Sequence, residues 1–358
     1  MPTDAASTDS VADSTLGGPR LPAGCPDAAG VWLIADIGGT HSRFARIGPD
    51  DLPAGQMRLR NEEFSGLSHA LETALGSPGP RIDALALAVA CPVDRGPIRL
   101  TNRDWTFDAA SLRAATGVRQ VRIVNDFVAA GAGLHELREP DAIRIDDMAD
   151  GSDRRRATGV RVVLGPGTGL GLSGLVRCAS GWRVLESEAG HAACPTVLPE
   201  ALPALQAARA RFGRASWERL LSGDGLAQLD AGLRGDGPRT AAQVAGSAQA
   251  GEAAAVRAAR AFSRLLGEFA GDACLTLRAD AVYLTGGVLD GLGAAFDARA
   301  FRDGFADKGR FAAMMRGVPV LRVTAGDLAL RGMAAIVAGA VEAPGVAEPG
   351  VAGESDHA

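Results

Sequence analysis

Three times along this chain of 358 residues an apolar run breaks on a glycine-rich turn. Val31 to Ile37 ends at Gly38-Gly39, Val160 to Leu164 at Gly165-Pro166-Gly167-Thr168-Gly169, and Ala281 to Leu284 at Thr285-Gly286-Gly287. Short apolar runs bounded by glycine predict buried strands. Glycines after such a strand let the backbone turn sharply and present successive N–H groups, which form a nest for anions. One such loop alone is as readily a structural turn. Three of them predict two copies of a strand-meander-helix unit, each with its own phosphate loop, facing a common cleft. Gly169 to Gly174 also spells a formal GxGxxG. A dinucleotide fold needs a helix next, whereas Leu175-Val176-Arg177 and Gly181-Trp182 predict a hairpin, which argues against it.

The rest of the pattern is α/β. Ser42 to Ile47 and Met57 to Phe64 continue a meander, Leu67 to Leu75 has helical spacing, and Ala84 to Ala90 is a second buried strand. Asp108 caps a helix that Gly117 ends, and Val121 to Val124 is a strand running into Asn125-Asp126 at the start of another helix. The second half predicts a hairpin (170–185), a mostly helical stretch (199–278), strands at Ala281 to Leu284 and Val318 to Val323, and a last helix from Asp327 to Ala340. Residues 1–30 and 343–358 are poor in large apolar groups and are expected to be disordered.

Composition removes several chemistries. Lys308 is the single lysine, and it lies in neither a Walker-type loop nor a protein-kinase strand motif. Bound phosphate must therefore be held by backbone N–H groups, arginine or metal. The net charge of -5 with dispersed arginines argues against nucleic acid as a partner. Cys25, Cys91, Cys178, Cys194 and Cys274 show no zinc-ligand spacing and suggest free thiols in a reducing compartment, which points to the cytoplasm. No apolar run is long enough for a transmembrane helix, so no membrane partner is expected, and the N-terminus lacks the features of a secretory signal.

Order and spacing of the three turns sharpen the expectation. Asp36-Ile37-Gly38-Gly39-Thr40, Gly165 to Gly169, and Leu284-Thr285-Gly286-Gly287-Val288 resemble the first phosphate, second phosphate and adenosine motifs of the sugar-kinase, actin and Hsp70 superfamily. Asn125-Asp126-Phe127, Cys91-Pro92 with Thr101 to Phe107, Glu188-Ala189-Gly190-His191, Ser216 to Gly223 and Phe305 to Phe311 resemble segments of the bacterial ATP-dependent glucokinase family. The resemblance spans about residues 31–341, and no cysteine-rich zinc motif of the related ROK group is present.

That resemblance implies a two-domain actin-like ATPase (ribonuclease H-like) sugar-kinase fold with a central cleft. Residues 31–137 with 328–342 would form the small domain, and 138–327 the large one. It implies ATP and Mg²⁺ as cofactors, glucose as substrate and a homodimer. Asp126 would be the catalytic base; spacing alone fits a helix cap equally well. Asn125 would bind sugar through both donor and acceptor, with Glu188, His191 and Glu218 as further sugar ligands. Without the resemblance, Glu188 and His191 read as a surface pair and Glu218 as a first-turn helix carboxylate. Ala35, Asp36, Ile37, Gly38, Gly39, Thr40, Gly165, Gly167, Thr168, Gly169, Gly286 and Gly287 would contact the nucleotide. Asp36 would hold Mg²⁺ through water, because this cation dehydrates reluctantly. Asp126 is expected to stay ionised beside the metal and phosphates.

Three departures bear on sugar preference: His41 stands where relatives have asparagine, Ser187 and Ala189 replace glycines beside Glu188, and Ala192-Ala193-Cys194-Pro195 lacks an acidic residue. The implied activity is transfer of the γ-phosphate of ATP to the 6-hydroxyl of glucose. The rivals are a kinase for mannose, fructose or an amino sugar, a non-catalytic sugar-sensing regulator, and an actin-like ATPase acting on protein partners. Residues 1–29 show no helical period from which a regulator's helix-turn-helix could be built.

Overall fold

A computed structural model of the chain describes residues 30–48, 54–76, 81–93, 97–100, 104–145 and 159–347. The N-terminal stretch 1–29, Thr101-Asn102-Arg103, the charged stretch 146–158 and residues 348–358 lie outside the described residues. β1 (Trp32–Ile37), β2 (His41–Ile47) and β3 (Ala54–Arg60) form an antiparallel meander. It is followed by α1 (Leu67–Gly76), β4 (Ala84–Val89), the small ribbon β5 (Ile98–Arg99) and β6 (Thr106–Phe107), α2 (Ala109–Thr116), β7 (Gln120–Asn125) and α3 (Asp126–Gly133). β4 lies parallel to β1, and β7 parallel to β4. Every residue of β4 is buried, as its unbroken apolar run requires in a strand covered on both faces. Asp108 caps α2 by accepting the Ser111 N–H at 2.7 Å, and Gly117 ends it in the left-handed region.

After β8 (Ala142–Arg144), the second meander is β9 (Val160–Pro166), β10 (Leu170–Cys178) and β11 (Gly181–Ser187). The helical stretch comprises α4 (Leu202–Phe212), α5 (Trp217–Leu220), α6 (Gly223–Arg234), α7 (Ala241–Gln249) and the long α8 (Ala253–Leu277). Then come β12 (Ala281–Leu284), α9 (Gly287–Leu292), α10 (Ala298–Ala306), α11 (Ala312–Arg316), β13 (Val320–Val323), α12 (Leu328–Val337), β14 (Val341–Glu342) and β15 (Val346–Ala347). β12 runs parallel to β9 and β13 parallel to β12. The run β3-β2-β1-β4-β7 in one sheet thus repeats as β11-β10-β9-β12-β13 in the other.

Three apolar clusters hold these layers. One lies under α1 and α2 against the first sheet, around Leu71, Leu87 and Leu112. A second joins that sheet's other face to α3 and α12 and takes in Val163, Leu175 and Val184 from the second sheet. The two alanine- and glycine-rich helices therefore pack between the sheets, and α3 carries Asp126 at its first residue. The third cluster sits beneath α8 and fills the second half.

Two expectations change and one helix is added. The strand foreseen from Met57 to Phe64 ends at Arg60, because Asn61 turns into a 3-10 turn (Asn61–Glu63) with its side chain buried. The third glycine turn leads directly into α9. Residues 343–347, expected within a flexible tail, are ordered by the sheet. β7 has a free outer edge that β15 pairs with, and the Arg122 guanidinium donates to the Ala343 carbonyl at 3.0 Å.

Candidate active site

The chemistry-bearing residues of the first sheet stand at the carboxyl ends of parallel strands, where open α/β sheets bind ligands. Asp36 is the last but one residue of β1, beside the Gly38–Thr40 turn, and Asn125-Asp126 joins β7 to α3. Strand register sets Arg43 opposite Asp36, and its guanidinium donates to the carboxylate at 3.0 Å. Burial nevertheless raises the Asp36 pKa, against the attraction of Arg43.

Asp126 was expected to be ionised. Burial first, then the charges of Asp36 and Glu188, push its carboxyl up to about 7, despite a hydrogen bond from the Phe127 N–H at 2.9 Å. Those same charges show that Asp36, Asp126 and Glu188 share one electrostatic environment. Cys91, buried beside Asp126, has its thiol pushed up to about 11 by burial and then by Asp126, so it is held as a neutral thiol. Asn125 is partly engaged within the fold. Its oxygen accepts the Phe127 N–H at 2.8 Å as the cap of α3, and its amide donates to the Cys91 carbonyl at 3.3 Å. Capping the helix takes one lone pair of the oxygen and the Cys91 carbonyl takes one amide proton, which leaves one lone pair and one amide proton for a ligand.

Glu188 and His191, three residues apart in the turn after β11, meet Glu218 from α5. His191 lies 3.7 Å from Glu188 through Nε2 and 3.7 Å from Glu218 through Nδ1. The hub is Leu170, the first residue after the second glycine turn. Its N–H donates to Glu218 Oε2 at 3.1 Å. Its carbonyl lies so near Gly190 that a Cβ there would come within 2.2 Å, so only glycine fits between Ala189 and His191. The carboxylate and imidazole groups are thereby tied to the second turn. Ser187, at one of the departures, accepts the Ala189 N–H at 3.1 Å and tightens this loop.

The second and third turns touch. Gly286 has φ 108 and caps α9, and a Cβ on it would lie 2.5 Å from the Pro166 carbonyl. The second turn is braced by Gly167 N–H to Gly169 O at 2.8 Å and Gly223 N–H to Gly167 O at 2.9 Å. Beside it opens a cleft of about 500 Å³, lined by Gly167, Thr168, Arg211, Asp224, Gln228 and Thr240. A smaller cavity of about 100 Å³ continues past Thr168 to Glu218 and Arg219. Sequence reasoning missed Arg43, Asn61, Arg211, Asp224 and Gln228. Arg43 was foreseeable from the β1–β2 meander; the others lie on polar helix faces or at a strand end and carried no signal.

The model of the glucokinase family matches residues 33–340. The chain belongs to the glucokinase family. A glucokinase of Aromatoleum aromaticum is 37% identical over 88% of this chain and 96% of its own length. A bifunctional protein glk of Burkholderia thailandensis is 36% identical over 87% of this chain but only 49% of its own. The solved glucokinase of an Antarctic psychrotroph superposes with a TM-score of 0.72 at 30% identity, covering 86% of this chain and 98% of that one. The fold is thus that of the actin-like sugar kinases, with two related sheets around a cleft. Among the described residues no helix is long and apolar enough to cross a membrane.

Proposed function

We propose that this chain transfers the γ-phosphate of ATP to the 6-hydroxyl of glucose, giving glucose 6-phosphate and ADP. The observation that carries it is Asp126: a carboxyl at the start of α3, buried within reach of the charges of Asp36 and Glu188 and pushed up to about 7. A base is most effective when its pKa lies near the working pH. Glu188, His191 and Glu218 would orient the sugar hydroxyls, and the free amide proton of Asn125 would donate to another. As the oxygen of the 6-hydroxyl bonds to the γ-phosphorus, its proton passes to the Asp126 carboxylate. The bond from that phosphorus to the β-phosphate oxygen breaks, and ADP leaves with the electron pair.

ATP would lie along the three turns with its phosphates on backbone N–H groups at Gly38–Thr40 and Gly165–Gly169, and its nucleoside toward Gly286-Gly287 and the cleft lined by Asp224 and Gln228. Mg²⁺ would be held by Asp36. A single half-buried carboxylate suits a cation that keeps water and takes phosphate oxygens, and no cluster of three or more protein ligands occurs among the described residues. Bound there, the ion would neutralise phosphate charge. We infer a small lobe of 31–137 with 328–342 and a large lobe of 138–327, with β14 reaching across to β11, closing on sugar to exclude water. A cytoplasmic homodimer completes the proposal.

The test is a coupled assay of purified protein with Mg-ATP and a panel of glucose, mannose, fructose and glucosamine. Turnover of glucose above the others supports the proposal. Preference for another hexose would move the substrate, a change the Ser187–Ala189 bond makes worth testing, and no turnover of any sugar would sink the enzyme assignment.

A further inference from the structure

A phosphate loop works only if its carbonyl oxygens face away from the anion. In the first turn two glycines adjoin, and a Gly-Gly peptide reorients at little cost because neither residue has a Cβ to resist it. Something must hold that peptide. Asn61, 23 positions along the chain from Gly38, donates its side-chain amide to the Gly38 carbonyl at 2.7 Å. Its backbone N–H donates to the Thr40 carbonyl at 2.9 Å. Its side-chain oxygen is fixed in turn, accepting the Ser42 hydroxyl at 2.7 Å. Asn61 and Ser42 are both 0% exposed, so neither side chain is open to a ligand arriving from solvent. In a trans peptide the C=O and the following N–H point opposite ways. Drawing the Gly38 and Thr40 oxygens inward therefore directs the Gly39 and His41 N–H groups the other way.

We propose that Asn61, locked by Ser42, is a positioning residue that holds the Gly38–Thr40 turn in its anion-binding orientation, and so sets the affinity for the phosphates of the nucleotide. This rests on the function proposed above. The clamp belongs to the first sheet, whereas Glu188 and His191 follow β11 of the second and Glu218 lies on α5, so nucleotide and sugar binding should separate.

Asn61→Leu keeps the approximate volume and removes the amide. Calorimetric titration with ADP should show affinity weakened about tenfold, the scale of one well-made hydrogen bond. KM for ATP should rise alongside, while the affinity for glucose stays within about twofold. Ser42→Ala, which leaves the amide in place but free to rotate, should give a smaller change in the same direction and decides the matter if Asn61→Leu does not fold. Unchanged ADP affinity in a folded variant would overturn the assignment, as would equal losses for ADP and glucose, the mark of a merely structural role. Wild-type protein that bound no ADP would overturn the proposed function and this assignment with it.

Discussion

The turn after β1 and the turn after β9 occupy equivalent places in two sheets of the same strand order, yet they are built from different materials. The first is flanked by charge: Asp36 paired with Arg43, and Asp126 across from it. It is braced from behind by a buried asparagine. The second has no acid or base of its own. It is braced by backbone, from Gly223 at the start of α6, and reached from the side by Glu218. One topology thus yields a reactive half and a gripping half. Repetition of the strands fixes where a ligand can sit, while the residues behind each turn decide what happens to it.

The largest effect should fall on the reactive half. Asp126→Asn removes the proton acceptor and should lower kcat by about 100-fold or more while glucose binding persists. Wild-type-like turnover in the same coupled assay would break the division of labour. The variant should also melt higher than wild type at pH 8. The native carboxyl titrates near 7 and the unfolded one near 3.8. Between those values the native state binds more protons, so stability falls as pH rises and the cost is fully present above 7. Asparagine removes that cost, so the gain in Tm should shrink toward pH 4. The same pKa sets the rate profile of the wild type: kcat/KM should rise with pH and level off above about 7, and a flat profile from pH 5 to 8 would discount Asp126 as the base.

On the gripping half, two glycines should separate fold from function. Gly286→Ala meets a positive φ and the Pro166 carbonyl, so it should destabilise by about 1–3 kcal/mol, visible as a lower Tm. At Gly167 a Cβ would meet nothing within 4 Å. Gly167→Val should leave Tm unchanged and raise KM for ATP by crowding the ligand. An ordinary KM in that variant would mean that the donor does not approach the second turn.

Which parts were legible in the sequence follows from the same contrast. Strands such as Ala84–Val89 announce themselves because burial on both faces demands unbroken apolar residues. Asp36 and Asn125-Asp126 were legible because strand ends can be located, with the family resemblance supplying their roles. Asn61 was not, since its meaning comes from a contact with Gly38 made only when β3 folds back along β2. Asn125 was legible only in part for a related reason: its sequence position shows an amide, and only the geometry shows that capping α3 takes one of its acceptor lone pairs. The lone lysine lies in no phosphate-loop motif, and its contacts in the fold are with helix α8. Lys308 donates to the Glu268 carbonyl at 3.0 Å and pairs with Asp272 at 2.7 Å, stitching the end of α10 to α8.

Arg211 should give the smallest effect and is the most direct check on where the donor's charge lies. It follows from a chain without a phosphate-binding lysine that any cationic contact near the second turn must be arginine, and Arg211 lines both the large cleft and the small cavity beside Thr168. Its guanidinium lies 4.8 Å from the Phe212 ring centre, which preorganises it without neutralising it. Because the side chain is exposed, water and salt screen its attraction, so Arg211→Gln should raise KM for ATP only about twofold to fivefold at low ionic strength. The difference from wild type should fade in about 0.5 M salt, where the screening length falls to about 4 Å. KM for glucose should move less than KM for ATP, because Arg211 shares a cavity with Glu218 but not with Glu188 or His191. A KM for ATP that stays constant at low salt would place the phosphates away from the second turn, and the reactive half would then have to hold the donor without help from the other.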